Sequence, residues 1–134
     1  MVKPRVVVVD DDEDNARLLE QVLAGAGFEV KLAQSVREAR AALAPGGIDA
    51  LVTDYSLGDG DAVELLTSLG ASRPRVAVLV TGHDSRADRE RFKAAGFDVH
   101  LIKPIDIDQL ERALEPVLTA VAATPGSPKP PGQG

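Results

Sequence analysis

Four groups of reactive side chains stand directly after short apolar runs: Asp10-Asp11-Asp12, Asp54, Thr81-Gly82 and Lys103-Pro104. Carboxylates brought together from two separate runs repel one another unless a cation sits between them. Hard oxygen ligands with open positions suit Mg²⁺, or Mn²⁺ in its place, which keeps water and accepts phosphate oxygens. The Lys103 ammonium can pair with a carboxylate and then with a phosphoryl group. The Thr81 hydroxyl can donate to a phosphoryl oxygen. In-line phosphoryl transfer asks for little beyond positioning, a metal and cationic donors. A carboxylate nucleophile forms an aspartyl-phosphate in such chemistry. Taken singly, each residue has a plainer reading. An Asp after a strand is often a helix N-cap, which suits Asp12 or Asp14. A Thr or Lys at a strand end is usually structural or solvated. The conjunction, in this order along the chain, is what points to chemistry.

The positions work only if the apolar runs are neighbouring strands. Val6–Val9 is a continuous apolar run, as a buried parallel strand requires. Asn15, Leu18, Leu19, Val22, Leu23 and Ala26 follow at helical spacing, with Gly25 and Gly27 near the end. The second strand is expected over Phe28–Ala33. Ser35-Val-Arg-Glu38 is a capping box, opening a helix that turns Val36, Ala39 and Leu43 inward. Pro45-Gly46-Gly47 breaks it. Ile48–Thr53 reads as the third strand, Asp61 as the cap of a helix through Leu69, and Arg75–Thr81 as the fourth strand. Ser85 opens a fourth helix that stops at Gly96. Val99–Ile102 is the fifth strand. Asp106 caps a last helix with an inward stripe of Leu110, Ala113, Leu114, Val117, Leu118 and Val121; Pro116, inside that stripe, should kink or shorten it. Strict alternation of strand and helix implies right-handed crossovers and a parallel sheet covered on both faces, an α/β fold of five βα units. Ligands of such sheets bind beyond the carboxyl ends of the strands, where the reactive groups stand.

Composition narrows the field. The 134 residues suit one domain, expected over residues 1–122, and the Pro- and Gly-rich stretch 123–134 reads as a disordered tail or linker. No cysteine is present, which removes disulfides and thiolate metal sites and fits a reducing compartment. Apolar runs are too short to span a bilayer and no signal-peptide core follows the N-terminus, so a cytoplasmic protein with no membrane partner is expected. A net charge of −6 argues against binding nucleic acid through a broad basic surface.

The segments Val-Val-Val-Val-Asp-Asp-Asp, Leu-Val-Thr-Asp-Tyr-Ser-Leu, Val-Leu-Val-Thr-Gly and His-Leu-Ile-Lys-Pro resemble the marks of the response-regulator receiver family of two-component phosphorelays. The resemblance covers residues 5 to about 121. It implies a flavodoxin-like three-layer sandwich with sheet order 2-1-3-4-5. It also implies phosphoryl transfer to Asp54 from a histidine kinase or phosphotransfer protein, and a changed surface read by an output protein. Asp11 resembles the direct Mg²⁺ ligand, Asp10 its partner through water, and Ser56 the donor of a backbone carbonyl. Thr81, with Gly82, resembles the switch hydroxyl, and Lys103 the phosphoryl-binding lysine with a cis bond to Pro104. The output face would lie on the fourth helix, fifth strand and fifth helix. Arg86, Arg89 and Lys93 share one side of that fourth helix.

Three positions depart from the family pattern. Gly58 replaces a proline, which suggests a more mobile loop. Ala62 replaces a glycine. His100 stands where the switch aromatic is usually Tyr or Phe, and reads equally as a surface strand residue or as a switch. His83 lies where family members tune dephosphorylation. Two other functions fit less well. A haloacid-dehalogenase-type phosphatase would use Asp10 and Asp12, but it needs Thr or Val at position 14 and leaves Asp54 idle. A pseudo-receiver usually loses its acceptor or acidic pair, and both are present. No helix-turn-helix is seen, so specific DNA binding by this chain is not expected.

Overall fold

The computed structural model describes residues 3–82 and 85–122. His83 and the tail from 123 onward lie outside that range. Strands β1 (Arg5–Val9), β2 (Glu29–Ala33), β3 (Ala50–Asp54), β4 (Val76–Thr81) and β5 (Val99–Ile102) alternate with helices α1 (Glu13–Gly25), α2 (Val36–Leu43), α3 (Ala62–Thr67), α4 (Arg86–Ala95) and α5 (Ile107–Ala122). All paired strands run parallel, in the order β2-β1-β3-β4-β5.

The apolar runs are continuous because both sheet faces are covered, and residue parity sorts them. Val7, Val9, Leu51 and Leu79 face a core shared with Ala39 and Leu43 of α2, Leu65 of α3 and Phe92 of α4. Val6, Val8, Val52 and Val78 face Leu19 and Leu23 of α1 and Leu110, Leu114 and Val117 of α5. The edge strand β2 alternates between exposed and partly buried residues over Glu29 to Leu32 before ending on the buried Ala33.

Caps fix where the helices begin. Asp12 Oδ1 accepts the Asp14 and Asn15 N–H groups, so the N-cap reading of Asp12 holds. Ser35 Oγ accepts the Glu38 N–H at 3.0 Å, while Glu38 returns to the Gln34 N–H rather than to the cap residue itself. Asp61 and Ser85 cap α3 and α4 in the same manner.

Two expectations need correction and a third is narrowed. Leu18 belongs to the apolar spacing of α1 yet is 54% exposed; the buried arc of that helix is Ala16, Leu19 and Leu23. Helix α3 ends at Thr67, short of Leu69, because Ser68 caps it and Gly70 at φ +53° starts a separate 3-10 turn over Gly70–Ser72. Pro116 does not shorten α5, which continues to Ala122. Pro116 is exposed, on the solvent side of Leu114 and Val117, so the helical carbonyl that loses its donor can turn to water.

Candidate functional site

The chain leaves β1 for β2 on one side of the sheet and returns to β3 on the other, so a crevice opens between the carboxyl ends of β1 and β3. Asp10 follows β1 and Asp54 closes β3. With Asp11 they form a cluster in which each offers one carboxylate oxygen, these atoms all lying within 4.8 Å of one another. Three carboxylates so close could hold a divalent cation, and as hard oxygen donors they fit Mg²⁺.

The three side chains differ in environment. Asp10 is 4% exposed. Burial pushes its carboxyl above the ordinary value, the Asp12 N–H bond opposes that, and the neighbouring Asp54 and Asp11 charges add to the rise. Its Oδ1 accepts the Asp12 N–H at 2.9 Å. Asp11 is exposed. Asp54 is half-buried and held at both oxygens, with Oδ1 accepting the Tyr55 N–H at 2.8 Å and Oδ2 accepting Lys103 Nζ at 3.0 Å. Behind it Thr53, fully buried, donates its hydroxyl to the Asp54 carbonyl at 2.9 Å.

Strand register sets the remaining groups. Asp54 pairs with Val80, so Thr81 lies one step past it on β4, and Thr81 pairs with Ile102, the residue before Lys103. The Lys103 N–H donates to the Thr81 carbonyl at 2.9 Å, and the Lys103–Pro104 peptide is cis. Thr81 is buried at 1% exposure, and Gly82 is exposed beside it. Ser56 lies at the base of a tight hairpin. The hairpin bonds join Leu57 N–H to the Gly60 carbonyl and Ala62 N–H to the Tyr55 carbonyl, which leaves the Ser56 peptide groups outside the ladder. The sequence-predicted residues Asp10, Asp11, Asp54, Thr81 and Lys103 therefore share one sheet edge.

His100 lies elsewhere. Its ring is half-buried on the α4 side of β5 and meets Phe92 edge-on, with centroids 5.1 Å apart. Phe92 in turn meets Tyr55 at 5.2 Å, and the Arg91 guanidinium lies over both rings. A line of rings thus runs from the residue after Asp54 to His100, and sequence spacing alone could not show it. Arg86, Arg89 and Lys93 are exposed on α4, with Arg86 also near Glu90 at 3.7 Å. A groove of about 340 Å³ opens on the other side of the site, where Asp10 and Lys103 meet Leu18, Ile105 and Ile107.

A family model described as the response regulator receiver domain matches residues 6–115. The chain belongs to that family. Receivers are signalling domains of two-component systems. It is 31% identical over 121 residues to the transcriptional regulatory protein ZraR of Salmonella typhimurium, which covers 89% of this chain and 27% of that protein. It is 34% identical over 125 residues to the transcriptional regulatory protein PrrA of Mycobacterium bovis, covering 92% of this chain and 54% of the relative. The receiver thus spans about a quarter to a half of these curated relatives. Among solved structures, a CheY-like receiver from Methanospirillum hungatei is 29% identical with a TM-score of 0.78, covering 87% of this chain and 94% of the other. The flavodoxin-like order 2-1-3-4-5 expected of a receiver is the order observed. Among the described residues no helix is long and apolar enough to cross a membrane.

Proposed function

We propose that this receiver takes a phosphoryl group on Asp54, in a Mg²⁺-dependent transfer from the phosphohistidine of a histidine kinase or phosphotransfer protein. The carrying observation is the convergence of the Asp10, Asp11 and Asp54 carboxylates, with the Lys103 ammonium already on Asp54. The acceptor carboxylate attacks phosphorus, a P–O bond forms, and the P–N bond of the donor breaks with its electron pair left on the imidazole. Asp10, Asp11, Asp54 and the Ser56 carbonyl would hold the ion. When bound, Mg²⁺ neutralises charge on the phosphoryl oxygens.

The protein's own groups do the rest. Tyr55 N–H and Lys103 fix the Asp54 carboxylate before the donor arrives, so orientation is settled in advance. Afterwards Lys103 can pass from the carboxylate to a phosphoryl oxygen, and the Thr81 hydroxyl can turn towards the same group. The groove beside Leu18 offers an apolar surface next to the site on which the donor protein would rest. The reducing cytoplasm is the compartment this cysteine-free domain suits. Its output protein would read the α4–β5 face. ZraR and PrrA are named as transcriptional regulators, so the effect of phosphorylation here belongs to a partner or to a further domain.

Intact-mass measurement with acetyl phosphate and Mg²⁺ tests the reading. The unaltered chain should gain one phosphoryl group with Mg²⁺ and none when EDTA is present from the start. Asp54→Asn should gain none while keeping its circular dichroism spectrum. Full labelling of Asp54→Asn would place the acceptor elsewhere.

A further inference from the structure

The loop that follows the acceptor is held from an unexpected direction. Gly58 occupies the place of a rigid proline, and Gly58 and Gly60 both adopt positive φ, at +79° and +159°. Such a loop would be free to wander. Yet Asp59, at its tip, reaches across to α2. Its Oδ1 accepts the Val36 N–H at 2.8 Å and its Oδ2 accepts the Arg37 N–H at 3.1 Å. Ser35 supplies the cap for Glu38, so Asp59 satisfies the two first-turn donors that Ser35 leaves over. The Val36 N–H holds the Asp59 carboxyl below its ordinary value, desolvation opposes this, and the Arg37 N–H adds to it. The close approach is independent of that carboxylate. A Cβ built on Gly60 would lie 3.2 Å from Val36 Cγ2, tighter than ordinary contact, so the loop backbone sits close against the start of α2.

Ser56 is three residues before Asp59, at the base of the same hairpin. We propose that Asp59 is a positioning residue for the cation site: its paired bonds to the start of α2 hold the β3–α3 hairpin, and with it the Ser56 carbonyl, where the carboxylate cluster needs it. This rests on the reading of that cluster as a Mg²⁺ site. The bonds replace the stiffness that proline would have given at position 58. They also join the site to α2 by reciprocal linkage, because whatever holds the loop for the ion makes the ion hold the loop.

The competing role for Asp59 is that of a helix cap alone, and Ser35→Ala separates the two. That variant removes a cap at the same helix end without touching the loop. Mg²⁺ alone is titrated into the phosphate-free full chain, followed by amide chemical shifts, with thermal melting in parallel. Asp59→Ala should weaken Mg²⁺ binding about tenfold, the usual lower bound for groups that orient a metal ligand. Asp59→Asn, which keeps one acceptor, should fall between. Ser35→Ala should lower the melting temperature and leave the Mg²⁺ affinity unchanged. Saturating Mg²⁺ should slow exchange of the Val36 and Arg37 amides in the unaltered chain and not in Asp59→Ala. Equal affinities for Asp59→Ala and the unaltered chain would overturn the proposal and leave Asp59 a cap. An unaltered chain that binds no Mg²⁺ would overturn the cation-site reading itself, and the role of Asp59 with it.

Discussion

Asp10 shows what burial does to one carboxylate. It is buried against two other carboxylates, and burial raises its proton affinity. The folded value therefore lies above the unfolded one. Stability from this group is fully present below the ordinary carboxylate value and is lost as pH rises through the raised value. Metal-free protein should thus be less stable at pH 7 than its Asp10→Asn variant, which keeps an oxygen for the Asp12 N–H. Melting temperatures should differ by a few degrees at pH 7 and converge towards about pH 4. Adding Mg²⁺ should reverse the order, since only the unaltered site gains from the ion. A variant less stable than the parent at pH 7 without metal would show that burying the charged Asp10 carboxyl does not cost stability. The residue itself was legible in the sequence, because a buried strand followed by acids has few innocent uses. Its companion Asp59 was not. The Asp59–Val36 bond spans 23 residues and depends on how two glycines turn a loop, which no local pattern encodes.

At the scale of elements, apolar runs together with caps and breakers located the five strands and five α-helices of the described residues, but not every face. Leu18 fits the spacing of α1 and still points outward, because the buried arc is only as wide as Ala16, Leu19 and Leu23 require. That exposure leaves an apolar residue beside the site. The boundary of α3 was missed for a different reason. Ser68 bonds to the Leu65 and Glu64 carbonyls and ends the helix, and apolar periodicity takes no account of such a cap. Helix α5 carries a cost that the sequence announced and the fold tolerates. Pro116 removes one helical hydrogen bond at an exposed position while Leu114 and Val117 keep the helix seated on the sheet. Pro116→Ala should therefore stabilise the domain, by about 1–3 kcal/mol given the usual cost of proline inside a helix. Urea denaturation monitored by circular dichroism measures this; an unchanged midpoint would mean that the helix end beyond Pro116 adds nothing to the folded state.

Across the whole molecule, phosphorylation at Asp54, as proposed, would have to be passed from that sheet edge to a surface that a partner can read. Two states must differ in affinity for that partner, and a ligand shifts them only by its differential affinity. The sheet itself is an unpromising carrier, being close-packed on both faces. The ring line from Tyr55 through Phe92 to His100 is better placed, since it starts next to Asp54, crosses α4 and ends on β5. Arg91 covers its first two rings and is paired to Asp88 at 3.4 Å, so a shift of α4 would disturb ring contacts and ion pair together. The exposed Arg86, Arg89 and Lys93 on that helix would move with it and present a changed pattern to an acidic partner. Beryllofluoride with Mg²⁺ is a stand-in for the phosphoryl group that avoids its hydrolysis. Hydrogen exchange of the free and beryllofluoride forms should differ most around Thr81, α4 and His100. Reversing the charges of Arg89 and Lys93 should weaken partner binding without slowing phosphorylation. Exchange changes confined to Asp54 and its neighbours, with α4 silent, would mean that this receiver signals through another face.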